Sequence, residues 1–401
     1  MKTLAIPGII LLLGIWPGTA LAQASPSPQA AQDAGAAAPS ADANRPKLGA
    51  SAATSPRPRF APVLLSATDG SGAPALGLTK DQFTIVDNSH AVPALKVFNA
   101  ADVPLHLAVV LLAGEGTFSQ QQAAAIDLIK RVIRPKIDEA FVVTARGKKP
   151  WPTPNIDWKQ DPEELVRTIE GLDRNAGLHD AFNFSMTTSE TELDQNGGRN
   201  TLQTYSAGGM SVFDAVFYMM NSDPRPARRV LVIFRDPWGH SPGFGGRVNT
   251  AVEGRLAQII AVAQEMHVAT FVIGLEDNRV NGVADNTIGK NYISVHSGEN
   301  GGGGESNRQY DRMMEKERAR AYEAGKSNVQ RLGAETGGAT FWSTKKNYPD
   351  AVASIANLLA GQYIVTFAPE DIAKALHTLR VTTSTGAKVL SPPAFFYGEI
   401  K

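Results

Sequence analysis

The sequence predicts an α/β fold: a doubly wound, mostly parallel sheet flanked by helices, with a small β module formed by N- and C-terminal segments. Three observations carry this. Leu105–Leu112 (LHLAVVLL) is a nearly continuous apolar run, the pattern of a parallel strand buried on both faces. From there to Phe367, strand-like runs alternate with helix-like stretches, the rhythm of a doubly wound sheet. On either side, Phe60 to Phe98 and Leu376 to Tyr397 are short extended runs broken by turn residues.

Taken in order, residues 1–22 read as a signal peptide. Met1-Lys2 gives a positive start, Leu4 to Ile15 is mostly apolar, and Ala20-Leu21-Ala22 suits cleavage before Gln23. The apolar run is short for a membrane anchor, and Pro17 and Gly18 interrupt its end. No other run approaches spanning length, so no membrane span is expected in the mature chain. Residues 23–57 are rich in Ala, Ser and Pro with almost no large apolar side chain. Such a segment buries too little surface to offset ordering entropy and reads as a disordered linker.

Residues 58–102 read as a β module. Val63–Thr68 leads to the turn Asp69-Gly-Ser-Gly72, Thr84-Ile-Val86 to the turn Asp87-Asn88, and Val92 to Phe98 is extended. Residues 103–370 read as the α/β domain. After Leu105–Leu112, Gln120 to Ile133 has apolar residues near helical spacing. Phe141–Ala145 is a strand. Asp161-Pro-Glu-Glu164 starts a helix with a capping Asp, a Pro in the first position and acids in the first turn. A short helix follows over Ser211–Met220, then the strand Arg229–Phe234, a helix over Val252–Met266 and the strand Val268–Gly274. A charged helix over Tyr310–Ala334, the strand Ala339–Trp342, a helix over Tyr348–Leu359 and a sixth strand, Gln362–Phe367, complete the alternation. Insertions near 187–209 and 276–306 are polar and Gly-rich and read as surface loops. Residues 371–401 form a C-terminal β extension expected to pair with the N-terminal module.

Composition removes several chemistries. The chain has 0 cysteines, which excludes disulfides, thiol nucleophiles and thiolate metal sites, and fits a bacterial envelope protein. Lys+Arg and Asp+Glu are both 39. A neutral balance without a basic stripe argues against nucleic acid. The pairs Lys148-Lys149 and Arg228-Arg229 read as solvated surface. Gly114-Glu-Gly116 lacks the third Gly of a dinucleotide fingerprint and the Lys-Ser/Thr of a P-loop. None of the seven histidines forms a His-x-x-x-His pair. Gly239-His-Ser-Pro-Gly243 matches the nucleophile-elbow spacing around Ser241, but Arg235–Trp238 separates it from the strand and no clear helix follows.

The order of phrases resembles a von Willebrand factor A-type domain, and more narrowly the acidobacterial VWFA-related proteins. The resemblance is carried by Gly77-Leu-Thr-Lys-Asp-Gln-Phe83, Pro104 to Leu112, and Gly208-Gly-Met-Ser-Val-Phe-Asp214-Ala215. Arg228–Ile233 with Asp236, Ala334-Glu-Thr-Gly-Gly-Ala-Thr-Phe341 and Gln362–Phe367 continue it. It implies a metal-ion-dependent adhesion site built from three loops. Here that site is degenerate. Ala113 stands at the first-loop Asp, Glu115 at the first hydroxyl and Met210 at the second-loop Thr. Thr117 matches the second hydroxyl and Asp236 the third-loop Asp, beside Arg235 and Pro237-Trp238.

Three oxygen donors remain for a hard cation such as Mg²⁺: Glu115, Thr117 and Asp236. They read either as a rebuilt site or as a metal-free pseudo-site, the latter being our expectation. Trp238, His240 and Phe244 follow the same strand and form a candidate partner-binding loop.

The sequence therefore predicts an exported, non-enzymatic binding or adhesion module, periplasmic or extracellular. It would recognise a protein or surface polymer through strand-end loops, without a required cofactor. Two alternatives stand beside it. One is a structural component of an envelope assembly, with the charged helix around Asp311–Arg331 as docking face. The other is an enzyme with a site near Glu115, Asp236, His240 and Ser241. The oligomeric state is left open.

Overall fold

Leu105–Leu112 is strand β5, and all eight residues are buried. The computed structural model describes residues 60–112, 117–146, 157–173, 178–179, 185–193, 199–206, 212–222, 225–235, 250–275, 323–343, 348–371 and 376–397. Before β5 come β1 (Ala61–Thr68), β2 (Phe83–Asp87), β3 (His90–Val92) and β4 (Ala94–Asn99). After it come α1 (Phe118–Val132), β6 (Glu139–Arg146), α2 (Pro162–Glu170), β7 (Leu178–His179), β8 (Ser185–Leu193) and β9 (Arg199–Ser206). Then follow α3 (Val212–Ser222), β10 (Arg228–Arg235), α4 (Thr250–Glu265), β11 (Val268–Leu275) and a helix over residues 323–335, here α5. The chain closes with β12 (Thr340–Ser343), α6 (Tyr348–Ala360), β13 (Gln362–Phe367), β14 (Leu376–Thr383), β15 (Lys388–Leu390) and β16 (Ala394–Phe396).

The central sheet has the order β12-β11-β10-β5-β6-β7 and every pairing is parallel. Its two faces are covered by different helices. Leu105, Leu107, Val109 and Leu111 join a core with α1, α2 and α6. Ala108, Val110 and Leu112 join a second core with α3, α4 and Val329 and Leu332 of α5. This is why the run is apolar at successive positions: a strand alternates its side chains, and here both faces are dry. Each such Leu or Val is worth roughly 1.5–3 kcal/mol of burial. The expected doubly wound α/β fold is therefore present.

The cap expected for α2 is also present. The Asp161 side chain accepts from Glu163 N at 3.0 Å and Pro162 opens the helix.

The β module is built from both ends of the chain, as expected, and it is a sandwich. One sheet runs β15-β1-β13-β4, the other β16-β14-β2-β3. Val63, Leu65, Phe83, Ile85, Tyr363, Val365, Phe367, Val381 and Phe395 fill the space between them. The opposite face of the first sheet lies on the α/β part, since Leu64 and Ile364 pack with α1 and α6.

Three expectations differ from the structure. The strand Gln362–Phe367, predicted as the sixth of the parallel sheet, is β13 and pairs antiparallel with β1 and β4. Its apolar run suits a strand covered on both sides, and the sandwich meets that need as well as the central sheet would. The polar segment near 187–209, predicted as a loop, contains the antiparallel ribbon β8–β9. Its Thr-rich runs flank Asp194-Gln-Asn-Gly-Gly198, and β-branched residues on either side of a turn-forming stretch favour a hairpin. The insertion near 276–306 lies outside the described residues.

The third difference is Arg228, predicted as solvated and in fact 4% exposed. Its Nη1 donates to Leu359 O and Gln362 Oε1, both at 3.0 Å, and its Nε to Val103 O at 3.1 Å. Partners at the carboxyl end of α6 suit a cation there. Burial is also why its pKa falls to about 10, despite the nearby Asp138 charge.

Candidate functional site

Parallel strands place all their carboxyl ends on one edge. The chain runs from β5 outward to β6 and β7, then returns to β10 and continues the other way to β11 and β12. The order therefore reverses between β5 and β10, which pair from Arg228↔Leu105 to Phe234↔Leu111. The helix after β5 lies on one face and the helix after β10 on the other. Ligand crevices of open α/β sheets form at such a reversal. The strand ends that lead into Glu115 and Asp236 are thus immediate neighbours.

Glu115, Asp236, Trp238, His240, Ser241 and Phe244 themselves lie outside the described residues, as do Ala113 and Met210. Thr117 is the described member of the predicted set. It precedes α1, is 3% exposed, and its Oγ1 accepts from Gln121 Nε2 at 3.2 Å.

Gln121 was not singled out by the sequence, and it is a buried polar group that bonds on both sides of the first connection at this edge. It is 0% exposed. Its Oε1 accepts from Leu112 N at 2.9 Å, at the last residue of β5. One side chain thus joins the residue before and the residue after the 113–116 connection. The spacing Thr117-x-x-x-Gln121 puts both residues on one helical face, which is the signal a closer reading could have used.

Other strand ends meet here too. Arg235 ends β10, is buried, and stands opposite Gly274 of β11. Trp342 of β12 is the next strand's partner of Gly274. A Cβ on Gly274 would come within 2.3 Å of the Trp342 ring, so only glycine admits the indole there. The Lys326 ammonium lies 4.9 Å from the Trp342 ring centroid, a cation–π contact. Among the described residues, no group of three or more His, Asp or Glu side chains is placed to hold a metal ion.

The titration shifts lie elsewhere. At the amino end of the sheet, burial pushes the Asp138 carboxyl up. Bonds from the Arg134 side chain, Leu105 N and Arg134 N together with the Arg134 charge outweigh burial and hold it below the usual carboxylate range. Arg134 is raised in turn, chiefly by its bond to Asp138. His267, at the turn after α4, is pushed down to about 4, first by burial and then by Arg229. Burial also raises Glu265. In the sandwich, His377 Nδ1 lies 2.7 Å from Asp87 Oδ1, both fully buried, and the ring stacks on Phe395 at 4.8 Å. All of these groups lie away from the strand-end edge.

No family model matches the chain, and no curated protein matches it. Solved structures do. A von Willebrand factor type A protein from Catenulispora acidiphila is 8% identical over 86% of this chain and 74% of that one, with a TM-score of 0.35. Proximal thread matrix protein 1 from the mussel byssus is 9% identical over 68% of this chain and 49% of that one, with a TM-score of 0.31. The von Willebrand factor domain of a type V pili tip protein from Porphyromonas gingivalis is 12% identical over 63% of this chain and 94% of that one, at 0.27. The chain thus spans about half the length of the mussel protein. The fold is read from this chain's own strand order, which is the doubly wound α/β arrangement implied by the resemblance to A-type domains. No helix of the described residues is long and apolar enough to cross a membrane.

Proposed function

We propose that this chain is an exported, non-enzymatic binding or adhesion module that engages a protein or surface polymer through the loops at the carboxyl edge of its central sheet. The observation that supports this is the strand-order reversal between β5 and β10. It brings the strand ends before the 113–116 and 236–249 connections side by side, and the second connection carries Trp238, His240 and Phe244. Aromatic anchors on such an edge suit macromolecular recognition. Recognition in this reading needs no metal: Ala113 and Met210 bring no hard oxygen, and the Thr117 hydroxyl already holds Gln121. Export follows from residues 1–22, and the 23–57 linker would let the folded part stand away from its surroundings.

The test is binding of the labelled, processed chain to intact envelopes and to separated envelope protein and polymer fractions, in EDTA and in Mg²⁺. Saturable binding that persists in EDTA and is lost in Trp238→Ala/His240→Ala/Phe244→Ala is the expected result. Binding that requires Mg²⁺, or that survives the triple substitution, would overturn the reading.

A further inference from the structure

We infer that Gln121 is the positioning residue of the first strand-end connection, holding its two ends by hydrogen bonds at the place where an A-type domain would use a cation. This deepens the metal-independent reading above and rests on it.

Each end of the connection carries a buried polar group that needs a partner. Leu112 N is the last buried amide of β5, and an unpaired buried N–H costs about 1–3 kcal/mol. The Thr117 hydroxyl is buried as well. Gln121 satisfies both, accepting from Leu112 through Oε1 and donating to Thr117 through Nε2. An amide is suited to this because it is an acceptor at one atom and a donor at the other. A carboxylate could accept from both Leu112 N and the Thr117 hydroxyl, but only as a charge enclosed without a countercharge, which is costly. An apolar side chain could do neither.

The bridge is also well anchored. Gln121 sits one turn into α1, whose Ala124, Ala125, Leu128 and Ile129 are buried against the sheet. Its backbone N donates to Thr117 O at 2.9 Å, so side chain and backbone bind the same residue. The side chain is fully enclosed, so water does not compete for its two bonds.

The Thr117 end of the donor set suits a hard cation poorly. A metal at Thr117 would share the hydroxyl oxygen with Gln121 Nε2, and an amide N–H pointed at that oxygen disfavours a cation beside it. The first-loop carboxylate that would offset this is Ala113. The arrangement is a brace made by hydrogen bonds between the chain's own groups, and it needs no ligand.

The test is hydrogen exchange of the full chain, read on peptides covering 111–118 and, as a control, 376–383. Gln121→Met keeps the volume and removes both bonds. Exchange at 111–118 should rise by roughly fivefold to tenfold, the effect of losing one buried hydrogen bond, with 376–383 unchanged. Thr117→Val removes only the Thr117 end and should keep protection at Leu112 to within about twofold of the parent, a retention that generic loosening of α1 would not give. Should Gln121→Met fail to fold, Gln121→Asn decides: it keeps an amide but is too short to reach both partners, and exchange at 111–118 should rise as for the methionine variant. Unchanged exchange in the folded Gln121 variant, or protection lost in Thr117→Val, would overturn the brace. Slower exchange of the parent chain on adding Mg²⁺ or Mn²⁺ would instead overturn the metal-independent reading on which it rests.

Discussion

Replacing Asp138 with alanine should destabilise the protein by about 3–5 kcal/mol, the range for removing one partner of a buried charged network. The carboxylate is 0% exposed and gathers four donors. Leu105 N and Arg134 Nη2 reach Oδ1 at 2.7 Å, and Arg134 N and Nε reach Oδ2 at 2.8 Å. Arg134 also holds Ala101 O at 2.9 Å and Val103 O at 3.0 Å, so the network fastens the segment that leads into β5. Bonds to charged groups contribute about 1.5–3 kcal/mol each, and orphaning Leu105 N adds a desolvation cost. These are not additive, and Arg134 is partly exposed and can re-solvate, which keeps the sum below the arithmetic total.

The assay is urea unfolding, where the midpoint should fall with little change in slope. Against a typical total of about 5–15 kcal/mol, the loss is large. The acid limb gives an independent check. The folded Asp138 pKa is depressed, so its stabilisation is full above the unfolded value of about 3.9 and is lost as pH falls through the lower folded value. The alanine variant should therefore lose less stability than the parent over that acid range. A cost under about 0.5 kcal/mol, or an unchanged acid limb, would refute the account of this network.

Three further outcomes follow from other contacts. Gly338→Ala puts a Cβ 1.9 Å from Thr270 O, a backbone atom that cannot rotate away. It should cost at least about 1–3 kcal/mol and lower the melting temperature accordingly. His267 is held near 4 against about 6.5 unfolded, so stability should decline as pH falls from about 6.5 to 4. His267→Asn, which tolerates the local φ of 53°, should flatten that decline in pH-dependent unfolding. Gly274→Ala should displace the Trp342 ring and change the intrinsic fluorescence, while leaving the sandwich intact by exchange at 376–383.

How much of this was legible in the sequence depends on the range of the interaction. Leu105–Leu112 announces its burial because alternation is absent, and Asp161-Pro162 announces a helix start because capping is settled within three residues. Both are local physics. Arg228 could not be read that way. Its partners lie 125 to 134 residues away, and two are backbone carbonyls that any residue would supply. Gln121 was hidden for a related reason: a glutamine in a helix is ordinarily solvated, and its burial depends on where the end of β5 falls.

The candidate site divides along the same line. Ala113, Glu115, Thr117, Met210 and Asp236 could be aligned to a pattern by their order alone. That the strand ends before Glu115 and Asp236 are neighbours required the sheet order.

The sequence by itself determined the alternation of strands and helices, the dry central strand, and the contribution of both chain ends to a β module. It could do so because side-chain period and local capping are properties of adjacent residues. Only the tertiary structure decided that β13 joins the sandwich, that Arg228 is enclosed, and that Gln121 braces the first strand-end connection. A strand's apolar run states how much of it must be covered but not by what, and a polar side chain's role is set by partners that the folded chain alone brings within reach.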